Sequence, residues 1–212
     1  MDDMKQLFDA VVEGNAKLVR SITEAALARG EDPNVLLNGH MIPAMKEVGK
    51  RFEAGEYFVP ELLISARAMK GALELLRPLL AARGAKPVGR VAIGTVKGDL
   101  HDIGKNLVAA MLEGGGFEVI DLGVDVPAEK FVETIRQSQV TIVALSALLT
   151  TTMGSMKNVV ESLRSAGIRD RVKVMIGGAP VTQQYADEIG ADGYSDNASG
   201  AVTLARKLVG AV

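Results

Sequence analysis

Cysteine is absent from this 212-residue chain, and its absence excludes disulfides, thiolate metal sites, iron–sulfur ligation and cysteine nucleophiles. Tryptophan is absent too, and aromatic residues make up only 4% of the chain. Histidine occurs twice, as His40 and His101. Any bound metal must therefore be held by nitrogen, by oxygen or by a cofactor.

Net charge and long apolar runs are also scarce. Charged residues make up 24% of the chain, but the formal net charge is only -2. This balance favours neither nucleic acid nor a membrane surface as a partner. No apolar run approaches the roughly 18 residues of a membrane helix, and the acidic start at Asp2 and Asp3 is unlike a signal peptide. We therefore expect a cytoplasmic globular protein without a nucleic-acid or membrane partner.

Residues 1–84 have the apolar spacing of helices, with repeats three and four residues apart. Four amphipathic segments joined by short connections predict an antiparallel four-helix bundle. A glycine and proline cluster over residues 85–89 predicts the linker to a second domain. The breaks between the four helical segments fall at Gly14-Asn15, at Gly30 and at Gly55-Glu56.

Three apolar residues near the last break of the bundle have two interpretations. Phe52, Phe58 and Val59 could cover a flat hydrophobic ligand, because they surround a loop. The other interpretation is that they are part of the core of the bundle, where most large apolar side chains lie, and without other information this interpretation is preferred.

From residue 90 to 212 short apolar strands alternate with helices. Five such βα units predict a doubly wound parallel sheet of the flavodoxin-like or Rossmann-like kind, with helices on both faces. The predicted strands are residues 91–95, 117–122, 140–145, 172–176 and 193–194, and the predicted helices are residues 104–113, 128–137, 151–166, 181–189 and 199–208.

Polar or glycine-rich segments follow four of these strands. They contain His101, residues 146–152, residues 177–179 and residues 196–199. In open parallel sheets ligands bind beyond the carboxyl ends of the strands, at a topological switch point. The sequence therefore predicts that the four segments converge on one site.

His101 is the candidate metal ligand of that site. A neutral imidazole binds a metal through one ring nitrogen, and a carboxylate on the other N–H fixes its tautomer. Asp99, two residues earlier, is placed to be that carboxylate. Taken alone, the same residues could be an exposed polar loop, but convergence of the other segments favours a site.

Other ligand-binding loops fit these residues less well. Five residues separate Gly98 from Gly104, and Asn106 follows Lys105, so the phosphate-loop pattern fails. No dinucleotide fingerprint opens the first helix. A phosphoacceptor domain would need an acid where the third strand ends at Ser146, and a zinc hydrolase would need two or three further ligands.

The chain resembles the cobalamin-binding modules of methyltransferases, as found in methionine synthase and in small corrinoid methyl-carrier proteins. The family signature is Asp-x-His-x-x-Gly, then Ser-x-Leu, then Gly-Gly. Here Asp99-x-His101-x-x-Gly104 is followed after 41 residues by Ser146-x-Leu148 and after 28 more by Gly177-Gly178. Residues 55–62 match the family's Gly-Glu-x-Phe-x-Pro segment in its helical cap domain.

The resemblance implies a cobalamin bound with its dimethylbenzimidazole tail detached and His101 as the lower axial ligand. Asp99 and Thr152 would form a relay behind the imidazole. Phe52 and Val59 would cap the methyl face, while Asn38 stands where methionine synthase has a glutamate. The implied cofactor-binding residues are Gly98, Asp99, Leu100, His101, Asp102, Ile103, Gly104, Ser146, Leu148, Thr150, Gly177, Gly178, Ala198, Phe52 and Val59.

The implied function is a carrier that shuttles a methyl group, with the cofactor alternating between methylcobalamin and cob(I)alamin. Its partners would be a substrate:corrinoid methyltransferase, a second methyltransferase acting on tetrahydrofolate or a thiol, and a reductive activase. The carrier would not be catalytic alone. Two alternatives stay open: a cobalamin-dependent sensor or regulator, which would need an output domain, and the cobalamin subunit of an adenosylcobalamin mutase, which would not be expected to have the cap.

Overall fold

The computed structural model describes residues 2–84 and 87–211, and the chain divides into two compact units. One unit comprises residues up to Pro87 together with residues 110–116, and the other comprises residues 88–109 and 117–212. Two residues of the predicted linker, Ala85 and Lys86, lie outside the described residues. The predicted domain bounds, 1–84 and 90–212, stay a prediction.

The helical unit contains the four predicted helices. They are α1 (Asp2–Val12), α2 (Ala16–Ala28), α3 (Ile42–Glu53) and α4 (Val59–Ala82). α4 packs against α2 and α3, and α1 packs against the same two helices. The core between them includes the fully buried Leu7, Leu62, Met69 and Leu76.

Local signals start two of these helices. The side chain of Asn15 accepts a hydrogen bond from the Leu18 amide at 3.1 Å and caps α2. Glu61 accepts a hydrogen bond from the Phe58 amide at 2.9 Å, and Pro60 lies in the first turn of α4.

A π-helical segment, Val35–Met41, leads directly into α3. The sequence predicts one regular helix here, and that prediction is wrong for these seven residues. A π-helix widens the turn by one residue, and such segments are rare and frequently lie at functional sites. Asn38 lies within this segment and is exposed.

The α/β unit contains five parallel strands in the order β2-β1-β3-β4-β5. The strands alternate with helices as predicted, and the doubly wound parallel sheet is confirmed. The strands are β1 (Arg90–Thr95), β2 (Glu118–Asp121), β3 (Ile142–Ser146), β4 (Lys173–Gly177) and β5 (Gly193–Tyr194), and the helices are α5 (Ile103–Gly114), α6 (Ala128–Gln137), α7 (Met153–Ser165), α8 (Gln183–Ile189) and α9 (Ala198–Leu208). Residues 110–114 of α5 belong to the helical unit.

The core of this unit fills the space between the sheet and its helices. It includes the buried side chains of Phe131, Val143, Met156 and Val174. Chain order along the sheet reverses between β1 and β3, which makes this the switch point. No helix in the described part of the chain combines the length and the apolar character that a membrane span requires.

Candidate functional site

Strand register brings the predicted loops together at one edge of the sheet. Thr95 pairs with Ser146, and Ser146 pairs with Gly177, so the last residues of β1, β3 and β4 form one row. The loops that follow these strands therefore leave the sheet side by side. They contain Asp99 and His101, residues 147–152, and Gly178, as the sequence predicts.

Asp99 is the centre of the site and is completely buried. Its Oδ1 accepts hydrogen bonds from the backbone N–H of His101 at 3.0 Å and from Nδ1 of the same residue at 2.8 Å. Its Oδ2 accepts from the Leu148 amide at 2.8 Å and from the Thr152 hydroxyl at 2.7 Å. One carboxylate thus joins the loop after β1 to the loop after β3.

Two opposing effects act on the pKa of Asp99. Burial is the largest single effect and raises the pKa, because it disfavours the charged form. The hydrogen bonds from Thr152, Leu148 and His101 oppose it and together lower the pKa of Asp99 well below its ordinary value. Asp99 is therefore a carboxylate at neutral pH and acts only as an acceptor.

His101 is held at three points while its ring stays half exposed, at 50% of the side-chain surface. Asp99 accepts from its amide and from Nδ1, and its carbonyl accepts a hydrogen bond from the Thr95 hydroxyl at 2.8 Å. A carboxylate at Nδ1 requires the proton there, which leaves the lone pair on Nε2. Among the described residues, nothing hydrogen-bonds to Nε2.

Thr152 lies immediately before α7 and is buried. A threonine in this position often caps the helix, but here its hydroxyl makes no capping bond. The hydroxyl lies 2.7 Å from Oδ2 of Asp99 and 2.9 Å from the Leu149 carbonyl. Because it has one hydrogen to donate, the charged acceptor is favoured.

Gly178 allows two backbone segments to approach closely. Its φ is +133°, and an added Cβ would lie 1.8 Å from the carbonyl oxygen of Ala147. At Gly177 an added Cβ would lie 3.1 Å from the carbonyl oxygen of Ser195, which is tight but far less severe. The sheet edge therefore requires glycine at position 178 for its own backbone packing.

Large apolar side chains are exposed on the two loops that meet at Asp99 and at the first residue of α5. Leu100 is 72% exposed, Ile103 is 82% exposed and Leu148 is 43% exposed. Exposed apolar surface beside a polar centre is typical of a ligand-binding surface.

The remaining predicted residues of this unit lie at the ends of the same elements. Gly98 has a φ of +84°, and the Asp102 carbonyl accepts a hydrogen bond from the Asn106 amide at 2.7 Å at the start of α5. Ser146 is half-buried at the end of β3, and Ala198 is buried at the start of α9. Gly104 and Thr150 are exposed.

Phe52 and Val59 belong to the helical unit. Phe52 is half-buried, Val59 is 40% exposed and the neighbouring Phe58 is 65% exposed. Phe58 and Val59 are therefore not part of the bundle core, which was one of the two interpretations of the sequence. The role of Phe52 and Val59 towards a cofactor stays a prediction.

Sequence reasoning missed a buried cation beside the site. Lys105, in the first turn of α5, is 3% exposed, and its Nζ donates to Asp121 Oδ1 at 2.6 Å. Asp121 ends β2 and is exposed. The pair ties the start of α5 to the neighbouring strand, and only the sheet register reveals that the two residues meet.

Known proteins contain the same two parts. Residues 89–203 match the family described as B12 binding domain, and residues 4–77 match a second family with the same description. The first match spans more than half of the chain. The chain belongs to the B12-binding domain family. Cobalamin is therefore the cofactor of this protein, as the resemblance implied.

Several known proteins are similar to this chain over nearly its whole length. Trimethylamine corrinoid protein 1 of Methanosarcina acetivorans is 45% identical over 203 residues, which are 95% of this chain and 94% of that protein. Dimethylamine corrinoid protein of Methanosarcina barkeri is 42% identical over 209 residues, 97% of each chain. A chain in the methanol:cobalamin methyltransferase complex MtaBC from Methanosarcina barkeri is 31% identical with a TM-score of 0.86, covering 100% of this chain and 81% of that one.

The residues at the sheet edge fit a cobalamin. A half-exposed imidazole with an available Nε2 can supply one axial nitrogen to a cobalt whose other ligands come from the corrin. Leu100, Ile103 and Leu148 add exposed apolar surface, which the apolar parts of such a cofactor could cover.

Proposed function

We propose that this chain carries a methyl group between two methyltransferases, with His101 as the lower axial ligand of a cobalamin whose own tail base is detached. The observation that carries this proposal is the imidazole of His101. Buried Asp99 fixes its Nδ1, and Nε2 has no partner among the described residues. A histidine oriented by a carboxylate in this way is typical of a metal ligand.

Asp99 and Thr152 control the state of the ligand in this proposal. When bound, cobalamin supplies the cobalt that accepts and releases the methyl group. Asp99 keeps the proton of the neutral ring on Nδ1, so that Nε2 presents its lone pair. The same hydrogen bond to Asp99 would hold the ring in place when Nε2 is not a ligand. Thr152 holds the other carboxylate oxygen at 2.7 Å.

The rest of the proposed binding surface lies along the same sheet edge. Residues around His101 would hold the corrin. A second group, at the ends of β3 and β4 and in the segments that follow β3, β4 and β5, would contact the rest of the cofactor, with Ser146, Leu148 and Thr150 at its nucleotide tail. For Phe52 and Val59 the resemblance to the family is the support. The first group is Gly98, Leu100, Asp102, Ile103 and Gly104, and the second is Ser146, Leu148, Thr150, Gly177, Gly178 and Ala198.

We further propose a cytoplasmic carrier that works with partners and is not catalytic alone. One partner would methylate the cofactor from a methylamine or from methanol, a second would pass the methyl group to tetrahydrofolate or a thiol, and a reductive activase would restore the reduced cofactor. The names of the methylamine corrinoid relatives and the likeness to a chain of the methanol:cobalamin methyltransferase complex support this proposal.

A labelled methyl group tests the carrier function. The cobalamin-loaded protein is reduced and mixed with the methyltransferase that co-purifies with it. Isotope-labelled trimethylamine, dimethylamine, monomethylamine or methanol is then added in separate reactions. We expect label from one of these substrates to remain on the loaded protein after rapid gel filtration.

The control variants separate ligation from general damage. We expect His101→Ala to lower the labelling rate by about tenfold or more, as loss of a ligand-positioning interaction typically does, and His40→Ala to leave it unchanged. A protein that retains adenosylcobalamin but neither retains methylcobalamin nor takes up label would contradict the carrier function.

A further inference from the structure

Asp125 lies in the loop between β2 and α6 and has an unusual backbone conformation. Its φ is +53°, and no other non-glycine residue among residues 2–84 and 87–211 has a positive φ. The left-handed region is costly for residues with a Cβ, although aspartate tolerates it better than most. Such an outlier persists where the surrounding structure imposes it, and it often marks a functional constraint.

The polar groups of Asp125 engage the backbone at Asp99. Its Oδ1 accepts a hydrogen bond from the Gly98 amide at 2.7 Å. Its own N–H donates to the carbonyl oxygen of Asp99 at 3.0 Å. One residue thus holds the chain both just before Asp99 and at Asp99 itself.

Three further hydrogen bonds hold the main chain of this segment. The Asp99 amide donates to the Val96 carbonyl at 3.1 Å, the Val96 amide donates to the Ser146 carbonyl at 3.0 Å, and the Ser155 hydroxyl donates to the Lys97 carbonyl at 2.9 Å. None of these three bonds reaches the amide of Gly98 or the carbonyl of Asp99. Loss of the Asp125 carboxylate would leave the Gly98 amide without that acceptor, at a residue that itself has a φ of +84°.

The consequence reaches the imidazole through Asp99. Asp99 Oδ1 must lie 2.8 Å from Nδ1 of His101 while Oδ2 holds Leu148 and Thr152. These bonds are directional, so a small rotation or shift of the Asp99 backbone weakens the bond to the ring. The ring would then be free to move its proton to Nε2, where it blocks the lone pair.

We propose that Asp125 is a positioning residue, which holds the main chain at Asp99 so that His101 stays in its Nδ1–H tautomer with Nε2 available. It acts through Asp99 and does not itself touch the cofactor. The significance of the tautomer rests on the proposed ligand role of His101, but the positioning itself is a property of the cofactor-free chain.

Histidine tautomers can be measured directly in the cofactor-free protein. Nitrogen-15 NMR of the imidazole rings reports which ring nitrogen has the proton, and the sample is held at about pH 8, above the ordinary histidine pKa of about 6.5. The chain has only two histidines, so His40 is an internal control in every sample. The variants are Asp125→Asn, Asp125→Gly and Asp125→Ala, with urea unfolding of each to verify that it folds.

The three variants separate positioning from backbone strain. Asn keeps an acceptor oxygen and tolerates the left-handed conformation, so we expect the wild-type tautomer ratio. Gly and Ala both lose the acceptor, and we expect the ratio of Nδ1–H to Nε2–H at His101 to fall by about threefold to tenfold, as coupled groups in one network typically respond. Gly relieves the strain at this φ and Ala does not. If backbone strain rather than the acceptor set the tautomer ratio of His101, the ratio would therefore differ between the Gly and Ala variants.

Two results would overturn the proposal. One is a wild-type tautomer ratio in folded Asp125→Gly, whether or not Asp125→Ala keeps that ratio too. The other is a tautomer ratio that falls as much in Asp125→Asn as in Asp125→Gly. The acceptor oxygen of residue 125 would then not be what sets the tautomer of His101. No cobalamin is present in these samples, so neither result would contradict the ligation of cobalt by His101, which is tested separately.

Discussion

Replacement of Gly178 by alanine is expected to lower the free energy of unfolding by about 3 to 5 kcal/mol. The new Cβ would lie 1.8 Å from the carbonyl oxygen of Ala147, and the φ of +133° is strained for any residue with a Cβ. The obstructing atom is backbone, so it cannot move aside as a flexible side chain could. Urea unfolding of the cofactor-free protein, followed by circular dichroism, measures the loss.

The same substitution should disturb the site. The carbonyl of Ala147 and the amide of Leu148 belong to one peptide group, and that amide donates to Asp99 at 2.8 Å. Displacement of the carbonyl therefore rotates a donor that holds the carboxylate. We expect a shift of the Leu148 amide resonance in any fraction of the variant that folds.

Gly177→Ala is the matched control for this prediction. Its added Cβ would lie 3.1 Å from the carbonyl oxygen of Ser195, and its φ is not positive, so a cost of about 1 kcal/mol is expected. Equal losses of stability in the two variants would contradict the assignment of a special backbone role to position 178.

Asp99→Asn is expected to lower the free energy of unfolding by about 2 to 4 kcal/mol at neutral pH. The carboxylate accepts hydrogen bonds at both oxygens from four donors at 2.7 to 3.0 Å. An amide has only one oxygen, so whichever way it is oriented its NH2 group faces a backbone N–H, of His101 or of Leu148. At least one buried donor is then left without an acceptor. Equilibrium unfolding of the cofactor-free variant measures the loss.

The loss should depend on pH in a defined direction. The pKa of Asp99 is lowered by folding, so its contribution to stability is present above the ordinary aspartate pKa of about 3.9 and is lost as the pH falls towards the lower pKa of the folded state. The difference in stability between wild type and Asp99→Asn should therefore shrink below about pH 4. The exposed Asp170, changed to Asn, is the control. A difference that is constant from neutral to acid pH would contradict this role of the carboxylate.

The sequence was sufficient to predict the order of the elements and the chemistry of the loop after β1. Buried parallel strands are short apolar runs, and their alternation with helices predicts the sheet. The meeting of Asp99 with His101 followed from a spacing of two residues. Asp99 and Thr152 are 53 residues apart in the sequence, and the prediction that they interact came from the resemblance to a known family.

Other features depended on backbone geometry or sheet register that apolar spacing does not encode. The spacing of apolar residues in the π-helical segment Val35–Met41 does not distinguish it from a regular α-helix. The bond between Lys105 and Asp121 depends on where β2 ends beside α5. The role of Asp125 depends on a positive φ, which a single sequence gives no reason to expect outside glycine.

Ligation of cobalt by His101 is tested most directly by electron paramagnetic resonance of the cobalt(II) form of the loaded protein. The protein is labelled with nitrogen-15 in its histidines only, while the cobalamin contains natural nitrogen. If His101 is the axial ligand, the nitrogen splitting changes from the triplet of natural nitrogen to the doublet of nitrogen-15. The doublet should persist in labelled His40→Ala and disappear in labelled His101→Ala. A triplet in the labelled wild-type protein would contradict the proposal, because the axial nitrogen would then come from the dimethylbenzimidazole of the cofactor.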